Sequence, residues 1–253
     1  MLSNILISEL FAFLLVFCRM GSAIMLLPGF GEAYVPARAR LLLAAILSVA
    51  IAPNLPALPH APTNIMSLFA LLSAEIIIGL FIGGLSRMLI GAIHMAGMII
   101  AYQSSLSSAV VQDLTHSQSQ GTSLGNLLGM AALVMLFATD LHHLMLRGLA
   151  DSYSLFTAGE FPNMGDFANH ATHIMDSSFH IAMQLAAPHL VVGLILYLGA
   201  GIIARIMPNI QIFFLMSAPQ LLISFFILMI ASSSIMLWYM DYIKETLATF
   251  LAP

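Results

Sequence analysis

Charge is what this sequence lacks most. Asp, Glu, Lys and Arg make up 7% of its 253 residues, where a soluble domain carries about 25%. With 60% hydrophobic residues and a mean hydropathy of +1.01, that scarcity excludes an ordinary soluble domain. Short segments of alternating apolar and polar residues are also missing, which excludes a membrane barrel. An all-α, polytopic helical membrane protein remains, with length for about six spans of about 20 residues each. Cysteine is nearly absent: Cys18 alone makes neither a disulfide framework nor a thiolate metal site, and reads as a small buried hydrophobe. No Lys or Arg precedes Arg19, so a cleavable signal with a basic start is not expected and the first apolar run should persist as a helix. A net charge of −4 excludes a strongly basic, nucleic-acid-binding surface. There is no nucleophile elbow, no H-E-x-x-H and no Walker sequence, so the chain is not expected to be an enzyme and no cofactor is expected.

What is present is a series of apolar runs separated by turn residues. Ile5 to Leu27 is long enough to span, and Pro28-Gly29-Phe30-Gly31 ends it because Pro and Gly stop helices. Pro36 opens a second helix, short for a full crossing, that ends near Ala52. Pro53, Pro56, Pro59 and Pro62 then make an extended connector. Thr63-Asn64 caps a segment that stays apolar from Ile65 to Ala101. That is either one long kinked helix or two packed segments. Gly79 and Gly83 form a G-x-x-x-G within it. Gly121, Gly125 and Gly129 share a face of the next helix and permit close backbone approach. That helix is expected to run to about Ala150. Asp151 to Asn169 reads as a loop, and long helices are expected over about Ile174–Arg205 and Gln211–Tyr242, joined by a turn at Arg205, Pro208 and Asn209.

Between the apolar runs lies one polar stretch, Tyr102 to Asn126. It carries Ser104, Ser105, Leu106, Ser107, Ser108, Val110, Val111, Gln112, Asp113, His116, Gln118 and Gln120. It is either a solvated loop or protein-enclosed, non-helical chain lining or closing a water-filled passage, the other tolerated place for such backbone at membrane depth.

Glu75 and Arg87 are ionisable residues at membrane depth and count as functional candidates by default. Twelve residues apart, they are separated by about 18 Å along a helix and cannot pair without a bend; partners on another subunit or at the interface are expected. His170, His173 and His180 with Asp176 form a histidine-rich cluster for which solvation or capping is favoured over a metal. His142 and His143 are adjacent and point to different faces, which makes them poor chelators. A metal-dependent membrane enzyme built on His170, His173 and Asp176 is therefore a minor reading. The basic residues Arg38, Arg40 and Arg205 place the first and last connections in the cytoplasm by the positive-inside rule, with Lys244 pointing the other way.

Several short motifs occur in an informative order: R-M-G-S-A-I-M-L-L-P-G-F-G-E-A-Y-V-P-A-R-A-R-L from Arg19, E-I-I-I-G-L-F-I-G from Glu75, A-G-M-I-I-A-Y-Q from Ala96, L-H-H-L from Leu141, and R-I-M-P-N-I-Q-I-F-F from Arg205. Together they resemble the FliR/SctT family, export-gate membrane proteins of flagellar or virulence type III secretion, with flagellar members the nearer likeness. The resemblance implies a FliP-like part over about 1–150 followed by a FliQ-like helical hairpin over about 174–242, within a single integral-membrane domain. It implies assembly with FliP-like and FliQ-like subunits, work with FlhB-like and FlhA-like export components, and passage of unfolded exported proteins. The location it implies is the bacterial inner membrane at the flagellar basal body. By position, it puts about Ser104 to Gly121 at the pore constriction. A self-contained proton- or solute-coupled transporter is the competing reading; it would need inverted repeats, which are not evident.

Overall fold

The computed structural model of the protein describes residues 2–55, 59, 61–62, 64–105, 123–207 and 212–251. Among the described residues there are seven α-helices and no strand: α1 (Leu2–Leu26), α2 (Ala37–Ile51), α3 (Ile65–Gln103), α4 (Ser123–Ala138), α5 (Leu141–Leu155), α6 (Met164–Ile206) and α7 (Ile212–Leu251). Five segments are long and apolar enough to cross a membrane, or six if Leu124–Ala138 and Leu141–Leu155 count as one broken span. A 3-10 turn at Ala52–Asn54 extends α2 to an 18-residue segment, so the helix expected to be short is just long enough.

The helix boundaries follow local chemistry. After α1, Gly29 takes φ +82, a left-handed conformation that glycine adopts without steric cost. Pro36, at φ −63, precedes the first turn of α2. The long apolar segment is one uninterrupted helix, α3, of 39 residues, about 58 Å at 1.5 Å per residue. Two boundaries differ from expectation. The helix expected to reach Ala150 breaks after Ala138, because Asp140 sits at φ 59, a left-handed state that Asp tolerates better than most residues. The loop expected over 151–169 is shorter, because α5 continues to Leu155 and α6 starts at Met164. Asn163 supports that start by accepting a hydrogen bond from the Gly165 N–H at 3.0 Å.

The chain divides into two compact units, one formed by Met1–Leu89, Phe137–Met175 and Lys244–Pro253, the other by Ile90–Leu136 and Asp176–Ile243. In the first, α1 packs on α2 and α3 approaches α1 through its glycines. A Cβ on Gly79 would collide with Ser22 Oγ and the Arg19 carbonyl oxygen; one on Gly83 would lie 2.6 Å from the Ala23 carbonyl oxygen. Leu15, Met20, Ile24 and Ile78 are fully buried around this contact. Phe81 stacks on Phe167 with ring centroids 3.7 Å apart, and Phe156 meets the same ring edge-on. In the second unit, a Cβ on Gly97 would lie 2.5 Å from the Gly125 Cα, and one on Gly129 would overlap the His94 ring. The exteriors stay apolar: Leu42, Ile46 and Val49 on α2, Leu194 and Leu198 on α6, and Leu222, Phe226 and Ile230 on α7 are all exposed. Surfaces of that kind suit lipid or other membrane subunits rather than water.

Two glycines in α3 separate close approach from intrinsic helix preference. Gly84 has nothing within 4 Å of an added Cβ, so Gly84→Ala is expected to be neutral or to stabilise by up to about 1 kcal/mol. Gly79→Ala should destabilise by about 1–3 kcal/mol through overpacking. Thermal unfolding of both variants in detergent, followed by size exclusion, checks this; Gly79→Ala melting no lower than Gly84→Ala would refute the close approach.

Candidate functional site

In the first unit, α1 presents Arg19 and α3 presents Glu75, each with no solvent exposure. Arg19 Nε donates to Glu75 Oε2 at 2.6 Å and Nη2 to Oε1 at 3.1 Å, a two-point contact that suits the planar guanidinium. Two further N–H groups find partners from α5 and the turn after it. Nη1 donates to Ser152 Oγ at 3.3 Å and Nη2 to the Phe156 carbonyl at 3.1 Å. Glu75 Oε1 also accepts the backbone N–H of Gly159 at 2.7 Å, and Gly159 reaches this position at φ +82. The Tyr153 ring lies 3.8 Å from the guanidinium carbon, adding a cation–π contact worth about 2 kcal/mol when desolvated. The assembly is a clamp joining α1, α3 and α5. Its ion pair has no open face on which to bind or pass anything.

The partner expected for Glu75 on another subunit or at the interface is thus found within the chain. Arg87 is placed elsewhere, with Nη2 3.9 Å from Glu32 Oε2 in a half-exposed pair. Glu75 and Arg87 both lie on α3, take different partners and do not meet. Arg19 lies inside the first apolar run, where residue spacing gives no pairing with Glu75. The signal was present: an arginine at membrane depth requires an anionic partner, and Glu75 was the carboxylate at similar depth.

The second unit holds the head of the Ser/Gln stretch. Ser104 is buried and its hydroxyl donates to the Ile100 carbonyl at 2.8 Å. Ser105 follows at φ 59. Gln220 of α7, 4% exposed, holds both ends of this turn. Its amide donates to the Gln103 carbonyl and, at 3.3 Å, to the Tyr197 hydroxyl, while its Oε1 accepts from Ser105 Oγ at 2.9 Å. A cavity of about 160 Å³ opens here, lined by Ser105, Leu196, Tyr197, Ala200, Met216 and Gln220. A Cβ on Gly193 would overlap the Gln103 side-chain oxygen, so α6 also fits closely around the end of α3. Leu106 to Gln120, Gly121, Pro208 and Asn209 lie outside the described residues. Arg205 is exposed in the last turn of α6, where a cation complements the helix dipole.

His170, His173, His180 and Asp176 all lie on α6, with His180 Nε2 3.0 Å from Gln184 Nε2. Among the described residues, the group of three or more His, Cys, Asp or Glu side chains gathered closely enough for a metal is Asp140, His142 and His143.

A family profile described as bacterial export proteins, family 1, matches residues 10–246. The chain is 34% identical over 239 residues to the flagellar biosynthetic protein FliR of Caulobacter vibrioides, covering 93% of this chain and 94% of that one. It is 30% identical over 242 residues to the FliR of Bacillus subtilis, covering 94% and 92%. It is 30% identical over 188 residues to the FliR of Escherichia coli K12, covering 74% and 70%.

Removing one member of a buried ion pair leaves an uncompensated charge and costs about 3–5 kcal/mol, whereas replacing both can be near neutral. Arg19→Met and Glu75→Met are each expected to destabilise by that amount, and the double variant Arg19→Met/Glu75→Met by clearly less. A double-mutant cycle from denaturant unfolding in detergent measures the coupling; additive losses would show that the clamp is not a unit.

Proposed function

Because the chain belongs to the bacterial export proteins, family 1, we propose that it is a core, pore-forming subunit of a flagellar type III protein-export gate. The match across residues 10–246, with relatives named as flagellar biosynthetic proteins, carries this reading. At the coarser level the chain is a helical membrane protein of a bacterial export apparatus, which associates with other export components. In the finer reading it joins FliP-like and FliQ-like subunits in the inner membrane at the flagellar basal body. There it works with FlhB-like and FlhA-like components and passes unfolded proteins outward. Residues about 1–150 form its FliP-like part and about 174–242 its FliQ-like hairpin. No catalytic step is assigned to it.

Within that gate, the stretch from Ser104 to Gln120 closes the passage. Its composition supports the role. Serine and glutamine bond to water when a channel is hydrated and to one another when it is dry. They avoid the large cost of enclosing bare charges; Asp113 is the exception and needs a partner or a proton when shut. The buried bonds at the head of the stretch, from Gln220 to Gln103 and from Ser105 to Gln220, give it a fixed point of departure. The apolar exteriors of α2, α6 and α7 supply surface for neighbouring subunits.

Deleting Ser107 to Ser119 is expected to leave the complex assembled and to make the membrane leaky to ions. Co-purification with the FliP-like and FliQ-like subunits reports assembly, and ion flux across the membrane reports the leak. An assembled deletion complex that leaks no more than the parent would sink the closing role.

A further inference from the structure

Thr139 and Asp140 link α4 to α5; Asp140 sits at φ 59 and ψ 14, and its side chain makes no cap hydrogen bond to the helix it precedes. An aspartate before a helix ordinarily turns its carboxylate onto the N–H groups of the first turn. Here the left-handed backbone directs it elsewhere, and its Oδ1 lies 3.5 Å from His143 Nδ1. The His142 ring lies beside that of His143, with centroids 4.0 Å apart, and is backed by Phe137 at 4.9 Å. His142 Nδ1 is enclosed and has no hydrogen-bond partner. One ligand atom from each of Asp140, His142 and His143 falls within 4.8 Å of the others.

We propose that Asp140, His142 and His143 form a binding site for a zinc-type divalent transition metal. Two imidazoles and one carboxylate, with no thiolate, suit Zn²⁺ and, by the usual affinity order, also Ni²⁺ and Cu²⁺. Metal–ligand bonds of about 2.0–2.2 Å in a tetrahedron place donor atoms about 3.3–3.6 Å apart. The Asp140–His143 separation already meets that spacing. The remaining gap to the His142 donor closes by movement of Asp140 and His143 toward it, which is cheap because their side chains are 78% and 64% exposed. Adjacent histidines on a regular helix chelate poorly; the left-handed residue before the helix changes this by supplying the third donor from outside the helical repeat. The fourth position faces a cavity of about 460 Å³ lined by Asp140, His143, Leu144 and Arg147. A water molecule fits there, and the Arg147 guanidinium favours an anionic fourth ligand. Bound metal fixes the strained Asp140 conformation and thereby the start of α5.

The test uses the full chain, purified in detergent without a polyhistidine tag and stripped with chelator. Zn²⁺ is titrated in by calorimetry, and Co²⁺ is added as a spectroscopic probe of coordination. One Zn²⁺ per chain is expected, with cobalt bands typical of four-coordination. Loss of a metal-bound side chain should weaken binding at least as much as loss of the groups that support one, about 10–100-fold. Asp140→Asn and His143→Ala change exposed side chains and are expected to fold normally by size exclusion while losing affinity on that scale. His173→Ala should leave binding unchanged. The absence of saturable uptake would overturn the site, as would uptake insensitive to Asp140→Asn and His143→Ala.

Discussion

A guanidinium and a carboxylate fully removed from water are tolerable only when each of their nitrogen and oxygen atoms is hydrogen-bonded in place. Arg19 and Glu75 meet that condition by drawing on four separate parts of the chain: α1, α3, the end of α5, and the turn that carries Phe156 and Gly159. Apolar contact alone gives membrane helices little reason to prefer one register, since lipid tails are as apolar as the side chains they would replace. The ion pair has one geometry. It sets which turn of α3 lies against which turn of α1, and the glycines at 79 and 83 let the backbones come close enough for that register. Packing and electrostatics therefore specify the same contact.

A second polar centre does comparable work in a milder form. Gln220, Tyr197, Ser105 and the Gln103 carbonyl form a neutral network at the end of α3. An uncharged amide bears both donor and acceptor, so it can hold a turn in apolar surroundings without the desolvation cost of an ion. The contrast matches what each centre secures: a fixed helix register in one unit, and the departure point of a polar segment in the other.

Much of the fold was legible because membrane helices are set by long apolar runs and by Pro and Gly punctuation. The ends of α1 at Pro28-Gly29 and of α3 at Gln103 follow from composition. Less legible were features decided by a single backbone angle or by distant pairing. Nothing in a window around Ala138 to Leu141 announces a break, since Asp140 is acceptable within a helix and is left-handed only in its tertiary setting. The start of α6 was hidden because residues 164–173 are polar and lack apolar periodicity. Of the candidate site residues, Glu75 stood out by charge, but its partner lies 56 residues earlier and had to be matched by depth rather than by spacing. Gln220 and Gly193 carried no signal, because a lone glutamine or glycine in an apolar helix is read as incidental until its neighbour is seen.

The clamp also imposes an order of events on biosynthesis. Arg19 leaves the ribosome 56 residues ahead of the carboxylate that neutralises it, and the Gly159 amide follows Glu75 by another 84. The first helix therefore cannot reach its final setting when it is made. Its arginine must wait, at the membrane surface or in a hydrated insertion site, until α3 arrives, and the arrangement is sealed only once the turn beyond α5 has been synthesised. A nascent chain halted between residues 75 and 159 carries the pair but not its full enclosure, which makes the completed clamp a marker of how far translation has advanced.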